Sequence, residues 1–125
     1  TFAEVESDIT PDAKRIEPGF YERYMKGKKQ WESLVKMYGT DAYSSLGLFQ
    51  IMFTTALLFD RHITPDELKN PYVNTFIAFQ IINKNIAKYG IDNVNQWVQS
   101  YNGGTHRNMQ TKAYLKKWKK VYAKN

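Results

Sequence analysis

The chain has no cysteine, which excludes disulfides and thiolate metal sites and leaves the compartment open, since a disulfide-free protein can work inside or outside a cell. Histidine is nearly absent too. His62 and His106 stand alone, without His-Glu-x-x-His spacing or a carboxylate cluster, so no metal and no cofactor is expected. There is no glycine-rich phosphate loop. No apolar run approaches the roughly 18 to 20 residues that span a bilayer, and the N-terminus lacks the basic-then-apolar order of a secretion signal. Convincing strand alternation is missing as well, and no repeat, low-complexity tract or linker divides the chain. These absences leave one all-α domain over residues 1–125.

With 125 residues, 42% apolar and 15% aromatic, there is room for one modest core and more apolar content than a disordered chain carries. The net charge of +6 favours an anionic partner, whether nucleic acid, anionic lipid or a bacterial wall polymer, and does not choose among them. Helix signals run through the chain. Trp31, Leu34, Val35 and Tyr38 recur at helical spacing and Gly39 follows as a stop. From Ser45 to about Phe59 almost no polar face remains, which predicts a central helix buried on most sides. Thr64-Pro65-Asp66-Glu67 and Asn70-Pro71 each combine a cap with a proline at the first helical position. The second opens a long helix with a stripe of Phe76, Phe79, Ile82, Ile86 and Tyr89, ended by Gly90. Val94, Trp97, Val98 and Tyr101 mark a shorter helix, and Tyr114, Leu115, Trp118, Val121 and Tyr122 the last. Opposite that last stripe Lys112, Lys116, Lys117, Lys119, Lys120 and Lys124 form a solvated basic face. Residues 8–28, with Pro11, Pro18, Gly19 and Gly27, read as irregular.

Three short segments carry more than packing: Glu6-Ser7, Ser45-Leu46-Gly47-Leu48-Phe49-Gln50-Ile51-Met52, and Tyr101-Asn102-Gly103-Gly104. Each sets a polar group suited to gripping or protonating a sugar beside small or apolar residues. An acid that cleaves a glycosidic bond must keep its proton at working pH, and a glutamate with an ordinary pKa of about 4.3 does not. Phe2, Val5 and Ile9 flank Glu6, so a carboxyl pressed against the apolar Leu48, Phe49 and Met52 would have its pKa raised; Glu4 lies on another face and is solvated. Gln50, inside the most apolar stretch, needs a partner. It is either a core amide bonded to a backbone carbonyl or a donor and acceptor for sugar groups. Tyr101-Asn102-Gly103-Gly104 either ends a helix in a turn or lines a cleft. Ser44 and Ser45 are N-caps of the central helix first and substrate contacts second.

In this order, with Thr54-Thr55-Ala56 and Asn70-Pro71-Tyr72-Val73-Asn74 as connecting segments, the chain resembles the lysozyme-like lytic transglycosylases related to goose-type lysozyme. Phe49 stands where methionine is usual in that family, and 43 residues separate Glu6 from Gln50, more than in typical members. The extra stretch, including Arg15-Ile16-Glu17-Pro18-Gly19-Phe20-Tyr21-Glu22-Arg23, is similar to phage endolysin muramidases. The resemblance implies a lysozyme-like fold, peptidoglycan glycan strands as substrate, and Glu6 as general acid and then base. It further implies Tyr101 bonding the Glu6 carboxyl or the sugar, Asn102 holding the cleft wall, and Ser45, Phe49, Gln50 and Met52 among the substrate contacts. A lytic transglycosylase needs no second carboxylate and releases a 1,6-anhydro sugar. A hydrolytic muramidase would need one, for which Glu17 stands first and Glu22 and Asp41 after it. A basic nucleic-acid or anionic-surface module is the reading from another class. The resemblance also implies a monomer acting on the bacterial wall, periplasmic or extracellular, phage-encoded or virion-associated. Because Glu6 lies so near Thr1, the chain is read as a fragment or processed form of something longer.

Overall fold

The computed structural model describes residues 1–103 and 109–125; Gly104 and His106, singled out from the sequence, lie outside them. The first helix, α1 (Phe2–Ser7), is too short to be stable by itself. It is anchored by Phe2 and Val5, which are buried in one apolar cluster with Val98 and Trp118. The Phe2 ring centroid is 4.7 Å from that of Tyr101 and 5.5 Å from that of Trp118. Asp8 and Ile9 then take left-handed backbone angles, φ 53° and 56°, and end the helix. Ile9 is exposed rather than packed beside Glu6.

Residues 8–28 are more ordered than their prolines and glycines suggest. They contain β1 (Lys14–Ile16) and α2 (Pro18–Phe20), which runs into a π-helical turn at Tyr21–Met25. Pro18 does not break structure here but opens α2, where its missing N–H does no harm. Met25 is buried, and the Tyr21 hydroxyl donates to Glu32 Oε1 at 2.6 Å, tying this segment to α3 (Lys29–Tyr38). The stripe Trp31, Leu34, Val35 and Tyr38 is half-buried, and Gly39 ends α3 with φ 64°. A 3₁₀ turn over Gly39–Tyr43 follows.

The expected helix from Ser45 is replaced by a hairpin. β2 (Ser44–Leu46) and β3 (Ile51–Met52) flank a turn at 47–50, and only then does α4 (Phe53–Phe59) begin. The three strands form one antiparallel sheet in the order β1-β2-β3, pairing Arg15 with Ser45 and Ser45 with Met52. A continuous apolar run has no period, so it fits a buried strand–turn–strand as well as a helix. Gly47 at φ 82° and Gln50 at φ 47° decide the matter, because neither belongs in an α-helix. Nor is α4 wrapped on every side, since Leu58 is 76% exposed. Its Phe53 and Ala56 do lie in the larger core, with Leu46, Ile51, Ile63, Leu68, Ile77 and Ala78.

The capped helices form where expected. In α5 (Pro65–Lys69) Thr64 and Glu67 complete a capping box, and the Asn70 side chain accepts from the amides of Tyr72 and Val73 to start α6 (Pro71–Tyr89). The buried face of α6 is Asn74, Ile77 and Ala78, not the stripe read from Phe76 and Phe79, which are 63% and 57% exposed. A helix this rich in apolar residues offers several stripes, and α6 spans two cores: Ile81 packs on the larger, Ile82 on the one that holds α1. α7 (Val94–Gly103) and α8 (Met109–Lys124) complete that second core with Trp97, Tyr101, Tyr114, Leu115 and Val121. Among the described residues no helix is long and apolar enough to cross a membrane.

Candidate active site

Phe2 and Glu6 lie one helical turn apart on α1, so anchoring Phe2 in the aromatic core also draws the Glu6 carboxyl inward. Burial pushes its pKa from 4.5 to about 7, against the opposing pull of Tyr114, Arg15 and Lys117. Among the described residues no carboxylate is one of the groups that act on it. The Tyr114 hydroxyl is buried beside Glu6 and among the described residues makes no hydrogen bond of good geometry, so it serves as a loosely placed donor to the carboxyl. Lys117, on the basic face of α8, reaches across to α1, its Nζ donating to the Val5 carbonyl at 3.3 Å. It stays exposed like the other lysines of that helix. Tyr101 and Tyr114 both feel the Glu6 charge, and burial first and Glu6 second raise the pKa of each phenol, so both stay protonated donors.

The second and third segments meet Glu6 through the turn at 47–50. The Ser7 hydroxyl donates to the Leu48 carbonyl at 2.7 Å, fixing the end of α1 to the turn. The Tyr101 hydroxyl donates to the Phe49 carbonyl at 2.7 Å, and so bonds the turn rather than the Glu6 carboxyl. Gln50 Nε2 donates to the carbonyls of Ala13 and Gly47, both at 3.0 Å. Its amide is thus occupied by backbone, the alternative read beside the sugar-binding one. Asn74, fully buried on α6, accepts from the Phe49 amide at 2.8 Å and donates to the carbonyls of Leu46 and Leu68, each at 2.9 Å. A buried amide that satisfied is a rigid post. Gly47 completes the fit, since a Cβ there would come within 2.4 Å of Asn74 Nδ2. One tight turn is thus held from α1, α6 and α7 and from the residue before β1, directly beside a desolvated acid.

The model of the transglycosylase SLT domain family matches residues 1–123. The chain belongs to that family. Comparison with curated proteins and with solved structures gives no match. An SLT transglycosylase domain acts on peptidoglycan, and this one has the mostly helical, lysozyme-like architecture that goes with it, carrying one small sheet.

Within this SLT domain the other residues singled out from the sequence divide. Ser45, 9% exposed, and Met52 are cross-strand partners on the sheet, in the same row as Arg15. Phe49 packs on both cores, with its ring 6.5 Å from Phe79. Asn102 follows Tyr101 near the end of α7, with a buried Oδ1 that has no hydrogen-bond partner among the described residues. Ser44 and Ser45 are strand residues and not helix caps; Ser44 donates to the Thr40 carbonyl at 2.6 Å. Of the three carboxylates weighed as a second group, Asp41 is clamped by Lys14 at 2.7 Å and Lys69 at 2.8 Å. Burial pushes its pKa up, but those two lysines outweigh it and hold it below the ordinary value. Glu22 pairs with Lys26 on the open surface. Glu17 is bound to Arg15 Nε at 2.7 Å. Among the described residues no three His, Cys, Asp or Glu side chains gather as a metal site would require.

Sequence reading missed Asn74, Tyr114, Lys117 and Arg15. Asn74 left a signal, an asparagine four residues after a helix cap in a stretch otherwise apolar enough to be buried. The others left none, because a lysine-rich helix and an irregular segment do not show which charge comes near Glu6.

Proposed function

We propose that the chain cleaves the β-1,4 bond between N-acetylmuramic acid and N-acetylglucosamine by transglycosylation, with Glu6 as the single general acid and base. The observation that carries this reading is a buried glutamate with a pKa near 7 and, among the described residues, no carboxylate acting on it. At neutral pH a large share of such a group still holds its proton, as a general acid requires.

Glu6 donates that proton to the glycosidic oxygen as the bond from the muramic C1 breaks, and the N-acetylglucosamine side leaves with a new hydroxyl. The substrate's own N-acetyl oxygen supports the electron-poor C1. Glu6, now a carboxylate, takes the proton of the muramic 6-hydroxyl as its oxygen bonds to C1, closing a 1,6-anhydro ring. The proton is back on Glu6 and no water is consumed. Tyr114, Arg15 and Lys117 favour the carboxylate that exists between the two steps, while burial favours the acid at either end, so the group works in both directions.

Ser7, Gln50, Asn74 and Tyr101 act on this scheme by holding the 47–50 turn in place against α1, which carries Glu6. Hydrolysis would need a base to activate water, and the carboxylate that best suits it, Glu17, is bound by the Arg15 guanidinium. Glu6→Gln keeps the side chain's size and removes the proton. Its release of fragments from purified peptidoglycan should fall by roughly 10²- to 10⁴-fold with folding intact, while the matched Glu4→Gln stays active. A Glu6→Gln protein that clears a wall suspension at the wild-type rate would overturn the assignment.

A further inference from the structure

Arg15 is a cation at the acid's edge whose own binding capacity is barely used. It lies in β1, one residue beyond Lys14, and alternate residues of a strand face opposite ways. Lys14 goes to one face, where Nζ meets Thr40 Oγ1 and Asp41 Oδ1, both at 2.7 Å. Arg15 goes to the other, in the row it shares with Ser45 and Met52. The strand is set against the turn beside Glu6, because the Ala13 carbonyl accepts from the Gly47 amide at 2.8 Å and from Gln50 Nε2. Glu17 Oε1 takes only Nε of the guanidinium. The side chain is 69% exposed, and among the described residues its two terminal NH₂ groups have no partner.

An Arg gripped at Nε presents its outer fork in a fixed direction, which is the geometry for bidentate capture of a carboxylate. The strand that an SLT domain cuts carries such groups beside the scissile bond, since each muramic residue bears a peptide with free carboxylates. An uncompensated anion brought up to a buried acid would disturb its titration, and a guanidinium that already acts on that acid offsets it. We propose that the outer fork of Arg15 is an anion subsite that binds a carboxylate of the stem peptide, making the domain prefer peptide-bearing strands over bare ones. This inference rests on the proposed cleavage of muramoyl strands by Glu6.

The test compares kcat/KM on glycan strands with peptides intact and on strands stripped by an amidase, for wild type, Arg15→Gln and Arg15→Lys. Taking the ratio of the two substrates cancels any effect of Arg15 on the chemistry common to both. The wild-type ratio should favour peptide-bearing strands by about tenfold, should collapse toward one in Arg15→Gln, and should be partly kept by Arg15→Lys. It should also shrink in high salt, as an exposed charge pair is screened. A wild-type ratio near one, or a ratio unchanged in Arg15→Gln, overturns the subsite while leaving the cleavage reading intact. A wild type that cuts neither substrate instead removes the cleavage reading on which the subsite depends.

Discussion

Titrating Glu6 should make the protein's stability depend on pH in a way that one substitution abolishes. The folded protein holds the Glu6 proton to about pH 7, whereas the unfolded chain releases it near 4.5. The folded state therefore binds more protons across that window. Stability from the neutral carboxyl is complete below the unfolded value and is lost as pH rises through about 7. A shift from 4.5 to about 7 corresponds to about 3 kcal/mol, roughly a third of the stability of an ordinary domain. Glu6→Gln does not titrate, so urea denaturation of both proteins at about pH 4 and about pH 8.5 isolates the effect. Wild type should lose about 3 kcal/mol relative to Glu6→Gln between the two conditions. Activity should follow the same group, kcat/KM falling by about tenfold per pH unit above the Glu6 pKa. A stability difference that stays flat across the range would refute the claim that burial dominates this carboxyl, and the general-acid argument would fall with it.

Removing the Tyr114 hydroxyl takes away a donor that lowers the Glu6 pKa, so Tyr114→Phe should move the alkaline limb of the activity profile upward. The hydroxyl has no well-formed bond to lose, and urea denaturation should register a change under ~1 kcal/mol. Gly47→Ala forces a Cβ into Asn74 at a left-handed φ and should lower stability by ~2 kcal/mol or more, seen as a depressed Tm together with loss of wall lysis. Asn74→Ala strands the Phe49 amide and the Leu46 and Leu68 carbonyls, an expected loss of ~3 kcal/mol or more by denaturant titration, which a normal midpoint would contradict. Glu17→Gln should keep substantial activity on purified peptidoglycan; a loss as deep as that of Glu6→Gln would make Glu17 a catalytic base.

The three segments that stood out in the sequence are brought together in space as far as Gly103, but Tyr101 bonds the turn, where the resemblance implied the Glu6 carboxyl or the sugar, and Gln50 takes the backbone alternative. Tyr101 donates to a carbonyl of the 47–50 turn and Gln50 to the carbonyls of Ala13 and Gly47, and a sequence does not show which of two nearby acceptors a phenol or amide will choose. Capped helices were legible because Thr64-Pro65-Asp66-Glu67 and Asn70-Pro71 name their own hydrogen-bond partners within a few residues. The hairpin at 44–52 was not, since its apolar run hides a turn whose backbone is satisfied from far along the chain, by Ser7, Asn74 and Tyr101. The direction of the Glu6 shift was legible, because Phe2 and Val5 beside it are apolar. The surroundings of Glu6 were not, because Tyr114 and Lys117 arrive from α8, more than a hundred residues away.

Mass spectrometry of the fragments released from purified peptidoglycan in ¹⁸O-labelled water tests the central claim most directly. Transglycosylation by Glu6 alone predicts muramic ends carrying the 1,6-anhydro ring, one water lighter than the hydrolysis product and free of label. Reducing muramic ends that carry ¹⁸O would contradict it, showing that a water, and with it a second catalytic group, takes part in the cleavage.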